Sequence, residues 1–571
     1  MRLRFVLGYV LLSGALVACG NGSGSVTAPR GLIVETASGP VQGLEDDGVF
    51  SYRGIPYGAP PVGDLRWKPP VAPASRTDTL ATTENPSACA QRTFLGLPTP
   101  GLAPSEDCLY INVDTPTEGS DLPVMVWIHG GGFTVGEGVQ ADGGTSGDVI
   151  TRETGVIVVS MNYRLGQFGF LAHSKLTAES PDGASGNYGL MDQTAALKWV
   201  QENIEAFGGD PDNVTIFGES AGAFSVCSHL ASAASTGLFH KAIAQSGSCE
   251  RPWAPLTTAE AQGDDFAEAL GCGSEADVLG CMRAKPMNEV LAALPPGPNF
   301  GFNPSDEPAG SWGPILDGAF FTEQPTDSFV SGNFNRVPTI VGFTREESRL
   351  FVWIGELEEP PLEVTEDNYE ELIAYFLGGN TELAAKVAME YPLDDYSEPA
   401  VAFAAVTTDA IFRCPGKQEV AKLAAFVPAY LYQFEYPDGR SQLELAIQFG
   451  ILPGAELPSY DLAAFHGSDI PYVFGYSPIL GFDLSNGVEL ILNEWQEGTA
   501  DHQMWLDMLG YFSRFAATGN PSPQEGVEWP AYDEKTDPYL SLDKTISAGS
   551  KAAAKCDFWE GEDYLVGELT E

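Results

Sequence analysis

The stretch Phe207–Gly222, FGGDPDNVTIFGESAG, constrains everything around it. Residues with turn chemistry (Gly208, Gly209, Asp210, Pro211) precede a short apolar strand, Val214–Phe217, which runs into Gly218-Glu219-Ser220-Ala221-Gly222. That pentapeptide fits G-x-S-x-G, the sharp strand-to-helix turn that lifts a serine hydroxyl clear of the backbone. Glycines flank the serine because side chains there would clash with the adjoining strand and helix. Ala221 follows it, so its N–H points into the same space as Ser220 Oγ and can help hold an oxyanion. Five residues of this kind also arise by chance in glycine-rich loops. The apolar strand before them and the helix-like run Ala223–Leu230 after them supply the context the turn needs.

At 571 residues the chain exceeds the usual single domain, although large α/β enzymes run to this size as one unit, and 43% hydrophobic residues are ample for a large core. The formal net charge is −49, from 78 acidic against 29 basic residues. That excess argues against nucleic acid as a partner and against adhesion to anionic lipid. It reads as a solvated acidic surface, a field steering cationic substrates being the alternative. Residues 1–18 read as an export signal: Arg2 and Arg4, then an apolar run from Phe5 to Leu12 that weakens towards Val17. The run is short for a membrane span. Its end, Leu16-Val17-Ala18-Cys19, resembles the bacterial lipobox, in which the cysteine is lipidated and becomes the new N-terminus. An ordinary signal peptide with an incidental cysteine is the alternative. The expectation is an exported protein anchored to the cell envelope through Cys19, at the outer membrane where the cell has one, with residues 19–30 as a flexible tether. No later segment reads as a transmembrane helix.

From Gly31 the chain suggests a hairpin, with Val34 and Val41 around Ser38-Gly39-Pro40. Val124–Ile128 is a near-continuous apolar run, as a strand buried on both faces should be. It opens into His129-Gly130-Gly131-Gly132-Phe133, an HGGG-type loop whose backbone N–H groups can complete an oxyanion hole. Gly155–Met161 is a second buried strand; Asn187–Asp192 opens a helix, Gln193–Ile204; and Ala242–Gln245 is a strand after the Ser220 turn. Strands alternating with helices mean an α/β fold, with a mostly parallel central sheet, helices on both faces and small N-terminal antiparallel strands.

The segments SEDCLYINV, WIHGGGF, NYRLGQFGF, GLMDQTAALKWVQENI and FGGDPDNVTIFGESAG together resemble the type-B carboxylesterase and cholinesterase family of the α/β-hydrolase fold. The resemblance runs from about Gly31 to about Trp559, and residues 31–571 are read as one catalytic domain. It implies a serine esterase with the chain order Ser, acid, His, and Gly131, Gly132 and Ala221 as oxyanion donors. It implies Arg66–Glu106 and Arg164–Asp192 as buried structural ion pairs. After the strand Pro338–Phe343 it puts the acid at the second carboxylate of Thr344-Arg345-Glu346-Glu347-Ser348, hence Glu347, although Ser348 stands where the family usually has glycine. Adjacent side chains of an extended loop point to opposite sides, so Glu346 is expected outward, as a solvated surface charge. The base must follow the acid, which leaves His466 and His502. His502 opens an amphipathic helix, whereas His466 lies in a loop, FHGSDIPYVF, that matches the family's base loop.

The same likeness pairs Cys89–Cys108, Cys272–Cys281 and Cys414–Cys556. Cys227 and Cys249 remain; parity allows a fourth bridge, and two buried thiols are the alternative. Trp253 matches an acyl-pocket tryptophan and Glu219 is retained beside the serine. Pro308-Ala309-Gly310 stands where cholinesterases carry bulky phenylalanines, so Gly310 should open the acyl side. The Cys89–Cys108 loop holds no tryptophan, which removes the aromatic choline site. Phe94, Phe133, Trp312 and Phe351 are candidates for an apolar gorge and equally for core. No Cys/His cluster has metal-ligand spacing and no phosphate loop is present, so no metal or cofactor is expected. The expected partner is a small-molecule ester. A non-catalytic adhesion domain and an interfacial lipase are the alternatives; the serine and histidine argue against the first, and no lid is recognisable for the second.

Overall fold

The computed structural model describes residues 31–92, 104–139, 144–294, 312–357, 361–436, 458–483, 487–551 and 555–560. Cys19, Phe94, Gly310 and the export segment fall outside them. The frame is an eleven-stranded sheet. Its order is Ser547–Ser550, Pro538–Leu542, Ala429–Phe434, Thr339–Thr344, Lys241–Gln245, Gly209–Glu219, Leu122–Ile128, Ile157–Met161, Tyr110–Pro116, Val49–Pro56 and Leu44–Asp46. From Pro538–Leu542 to Ile157–Met161 all neighbours pair parallel, and both margins are antiparallel. Outside this sheet, Ile33–Thr36 and Gly39–Gln42 form the expected hairpin, with Val34 opposite Val41.

Alternation along each strand explains why its sequence is apolar throughout. Val124, Val126 and Ile128 join the core on one face of the sheet, while Met125 and Trp127 join the core on the other. The first core takes in the helix Ala221–Ala231 through Ala223, Val226 and Leu230. The second takes in Ala500–Thr518, through Met504, Met508 and Phe512. A third apolar cluster belongs to the helices Arg349–Glu356, Tyr369–Phe376, Thr381–Glu390 and Pro399–Thr408 and reaches Phe465, one residue before His466.

Two elements differ from their expected limits. The strand leading to Ser220 spans Gly209–Glu219 rather than Val214–Phe217. Its register slips between Leu122–Gly209 and Val124–Val214, so the residues read as a turn are a bulge inside the strand, where proline is tolerated. The helix expected from Gln193 begins at Tyr188: Tyr188, Gly189 and Leu190 are buried with it, and Asp192 wholly so. That carboxylate accepts two hydrogen bonds from the Arg164 guanidinium, Nε to Oδ2 and Nη2 to Oδ1, both 2.7 Å. Arg66 engages Glu106 in the same two-pronged way, at 2.7 and 2.6 Å. Both expected pairs are therefore made, and removing one partner of such a pair strands a buried charge.

The bridges Cys89–Cys108, Cys272–Cys281 and Cys414–Cys556 are present. So is Cys227–Cys249, which decides the question left open by parity. Among the described residues no helix is long and apolar enough to cross a membrane.

Candidate active site

Because the central strands are parallel, their carboxyl ends share one edge, the edge where open α/β sheets place their sites. His129–Gly132 follow Leu122–Ile128, Ser220 follows Gly209–Glu219, and Glu347 lies in the turn after Thr339–Thr344. His466 comes later in the chain than Ala429–Phe434.

Ser220 has φ 56° and ψ −123° and is the residue before the helix Ala221–Ala231. This left-handed conformation is strained for a non-glycine residue, and strain of this kind concentrates at functional sites. It is held by the Ser220 N–H, which donates to Gln245 O on the next strand at 2.8 Å. Gly222 makes the turn possible, since a Cβ there would lie 2.0 Å from the Ile128 carbonyl oxygen. The glycine loop comes down on the same spot: a Cβ on Gly130 would stand 3.1 Å from Ser220 Cβ. Gly131 and Gly132 have φ of 100° and 61°, which re-aims their amides.

Glu347 is completely buried, and its two oxygens have separate tasks. Oε1 accepts the Thr344 N–H at 2.7 Å, which fixes the carboxylate against its own strand. Oε2 lies 2.6 Å from His466 Nδ1. The His466 ring also packs at a tilt against Phe351 and Phe412, which stack on each other, with centroids 4.8 and 4.9 Å away. Nε2 is left buried without an aligned hydrogen-bond partner, 3.1 Å from Glu219 Oε1. Glu219 fills the space between the glycine loop and the base loop, since a Cβ on Gly130 would be 2.8 Å from Oε2 and one on Gly467 3.5 Å from Oε1.

Three buried carboxyl groups thus surround one imidazole. Burial drives Glu219 up to about 8; the His466 charge opposes that rise, while Asp469 and Glu347 add to it. For His466, burial works against the charged ring, but Glu219 and Glu347 outweigh it and lift the group to about 9. Asp469 is raised by burial and accepts hydrogen bonds on Oδ2 from Gln245 Nε2 at 3.0 Å and Tyr432 OH at 2.9 Å. With His466 in the base role expected from the sequence, activity should rise with pH through its pKa, because a general base must be unprotonated. Replacing Glu219 with Gln removes one of the charges that raise it. The acid limb of kcat/KM should then move to lower pH by about one unit or more. A pH–rate profile of Glu219→Gln that overlays the wild type would contradict this account.

Glu346 differs from its expected place. It is not a solvated loop charge: it pairs with Arg345, and Oε2 accepts the Ala464 N–H at 3.2 Å, which ties the acid turn to the base loop. Nor is the segment extended, as adjacent side chains on opposite sides would require; residues 345–348 form a turn. Ser348, where glycine was expected, has φ −82°, which any residue adopts, and its N–H donates to Thr408 Oγ1 at 3.0 Å.

Trp253 packs edge-on against Phe224, one turn along the helix from Ser220, with centroids 6.1 Å apart. Phe133 and Trp312 pack into the core against Phe170 and Phe266. Of the gorge candidates among the described residues, Phe351 is the one that reaches the histidine. Asp469 and Phe412 were not singled out from the sequence. Asp469 reads as an ordinary loop residue until the fold sets it against Tyr432, and Phe412 is presented by a π-helical turn, Asp409–Arg413, that leaves no sequence signal. Among the described residues one group of side chains has metal-binding reach, Cys227, Cys249 and Glu419, and its two sulfurs are joined to each other.

The sequence profile of the carboxylesterase family matches residues 30–559. The chain belongs to the carboxylesterase family. As a member it has the α/β-hydrolase fold and is a carboxylic-ester hydrolase. It is 36% identical over 524 residues to the para-nitrobenzyl esterase of Bacillus subtilis (strain 168), covering 90% of this chain and 95% of that one. It is 33% identical over 512 residues to the fumonisin B1 esterase of Sphingopyxis macrogoltabida, covering 88% and 85%. A solved structure of a PNB esterase superposes with a TM-score of 0.73 at 32% identity, over 92% of this carboxylesterase and 98% of that chain.

Proposed function

We propose that this carboxylesterase cleaves small-molecule esters through an acyl-enzyme on Ser220, with His466 as general base and acid and Glu347 as its orienting carboxylate. The observation that carries this reading is the buried Glu347 Oε2–His466 Nδ1 contact of 2.6 Å. A hydrogen bond there fixes the imidazole tautomer and leaves Nε2 to take the serine proton, then return it to the departing alcohol. The N–H groups of Gly131, Gly132 and Ala221 receive the developing oxyanion, supported by the positive φ values of the two glycines and by Ala221 at a helix N-terminus. No cofactor enters this scheme. Incubation with a fluorophosphonate followed by peptide mass spectrometry tests it: one adduct, on Ser220, is expected, and an adduct elsewhere removes the assignment.

Neutral esters are the proposed substrates, in keeping with the para-nitrobenzyl ester named for one relative. Choline esters should be poor. A missing tryptophan withholds a cation–π contact of about 0.5–2 kcal/mol. The acidic surface does not replace it, because exposed charges are screened over about 8 Å in physiological salt. Equal kcat/KM for acetylthiocholine and a neutral acetate ester would contradict the proposal.

We further propose lipidation at Cys19, on the strength of Leu16-Val17-Ala18-Cys19 and the Gly/Ser-rich tether behind it. Two or more acyl chains would hold the enzyme firmly, one alone only marginally. Membrane fractionation and N-terminal mass spectrometry decide: a mature protein in the soluble fraction with an unmodified N-terminus ends this proposal.

A further inference from the structure

Behind the Ser220 helix lies a second group of buried side chains that the reaction does not use. Cys227, two turns along that helix, is bridged to Cys249, beyond the strand Lys241–Gln245, and both are wholly buried. The Phe224 carbonyl oxygen lies 3.2 Å from one sulfur and 3.7 Å from the other. The Cys249 N–H donates to Glu419 Oε2 at 2.6 Å, while Glu419 Oε1 is buried without a hydrogen-bond partner. Burial pushes Glu419 up to about 8. From the same helix, Cys414–Ala424, Lys422 pairs with Glu250 and donates to Thr326 Oγ1 at 2.8 Å. Consecutive residues of one segment, 249 and 250, are therefore gripped from one helix, and the first is also bonded covalently to another.

The gripped segment runs from the elbow's neighbouring strand to Trp253. At its start Ser246 is held at φ 55°, with its N–H on Gly342 O at 2.7 Å. Next, Gly247 lies so close to the nucleophile that a Cβ would stand 2.8 Å from Ser220 O and 2.9 Å from Ala223 Cβ. At its end Trp253 rests on Phe224, and its backbone exchanges two hydrogen bonds with the Gln324 side chain, at 2.8 and 2.9 Å. In the acyl-enzyme the alcohol has left and the acyl group is bonded to Ser220 Oγ. The room it finds depends on what is packed beside the Ser220 helix, and Gly247–Trp253 runs along that helix to the tryptophan that the resemblance assigns to the acyl side.

We propose that the Cys227–Cys249 bridge is a positioning device that fixes Gly247–Trp253 against the Ser220 helix and thereby limits the length of acyl chain the enzyme accepts. The proposal rests on the reading of Ser220 as nucleophile and Trp253 as an acyl-side residue. Without the bridge the segment keeps only non-covalent support, and a shift of about 1 Å at a reacting centre is enough to change rates strongly. Longer chains gain room, and short chains lose their fit.

The test compares the wild type with Cys227→Ala/Cys249→Ala on p-nitrophenyl acetate, butyrate and octanoate, with fluorophosphonate titration to count competent sites. The expected result is stoichiometric labelling of Ser220 and an octanoate-to-acetate ratio of kcat/KM raised at least about fivefold, mainly through KM. That is modest beside the 10–200-fold that one methylene is worth in a fixed pocket. A chain-length profile parallel to the wild type, with only a lower Tm, overturns the proposal and makes the bridge a staple of the fold. If the double variant does not label, Phe224→Leu decides, because it keeps the bridge and removes the ring under Trp253. It must shift the profile in the same direction, and an unchanged profile overturns the proposal. Failure of the underlying reading looks different: Ser220 would then be unlabelled in the wild type.

Discussion

Ser220→Ala should lower turnover on the order of a million-fold, the usual effect of removing a triad nucleophile. The loss follows from place as much as from chemistry. Ser220 sits at φ 56° between the strand Gly209–Glu219 and the helix Ala221–Ala231, with its N–H anchored on Gln245 O. Alanine accepts the same anchor and leaves the turn closed, so the variant should fold with a Tm close to that of the wild type. What disappears is the atom proposed to bond to the acyl carbon. Residual activity comes from the oxyanion donors and from binding alone, as in triads stripped of their nucleophile. Steady-state kinetics on one activated ester, with a fluorophosphonate control, check it. A variant within tenfold of wild-type turnover would mean that Ser220 is not the attacking group.

Glu347→Gln is expected to cost about 10³- to 10⁴-fold in turnover, by analogy with the amide substitution in a serine-protease triad. Glutamine keeps the shape, and its oxygen can still accept the Thr344 N–H. The group then facing His466 Nδ1 is a neutral amide, which neither selects the productive tautomer nor stabilises the imidazolium. Glu346→Gln is the informative control. Its side chain can go on accepting the Ala464 N–H, losing only the charge towards Arg345, and should cost less than about tenfold, because an ion pair whose arginine stays open to solvent contributes little. Both variants measured on the same ester separate the two carboxylates. The reverse order of damage would move the acid to Glu346.

The parts of this molecule that could be read from sequence are those whose signal is local. Val124–Ile128 is apolar at every position because cores press on both its faces, and G-x-S-x-G is written in five consecutive residues. Resemblance to a family supplied Glu347 and His466, whose pairing no local pattern reveals: their hydrogen bond spans 119 positions. What escaped depends on tertiary context. Asp210-Pro211 has every mark of a turn, and it became a bulge because the sheet had a partner strand to offer on either side of it. Glu346 looked solvated because nothing nearby in sequence says that Ala464 will come to it. Cys227 and Cys249 could be counted but not joined, since the parallel strand Lys241–Gln245 is what carries Cys249 back beside the Ser220 helix.

The order of the sheet has a consequence for the protein's life before it is finished. Glu347 follows a strand that lies between Lys241–Gln245 and Ala429–Phe434, and His466 enters the chain later than either. Synthesis proceeds from the N-terminus, so Ser220 and the glycine loop exist long before the imidazole does. Contacts of such long sequence separation also form slowly. On the proposed triad, a nascent chain therefore carries the serine without the means to activate it. On that reading the enzyme is born latent and becomes reactive only when the last third of the polypeptide docks.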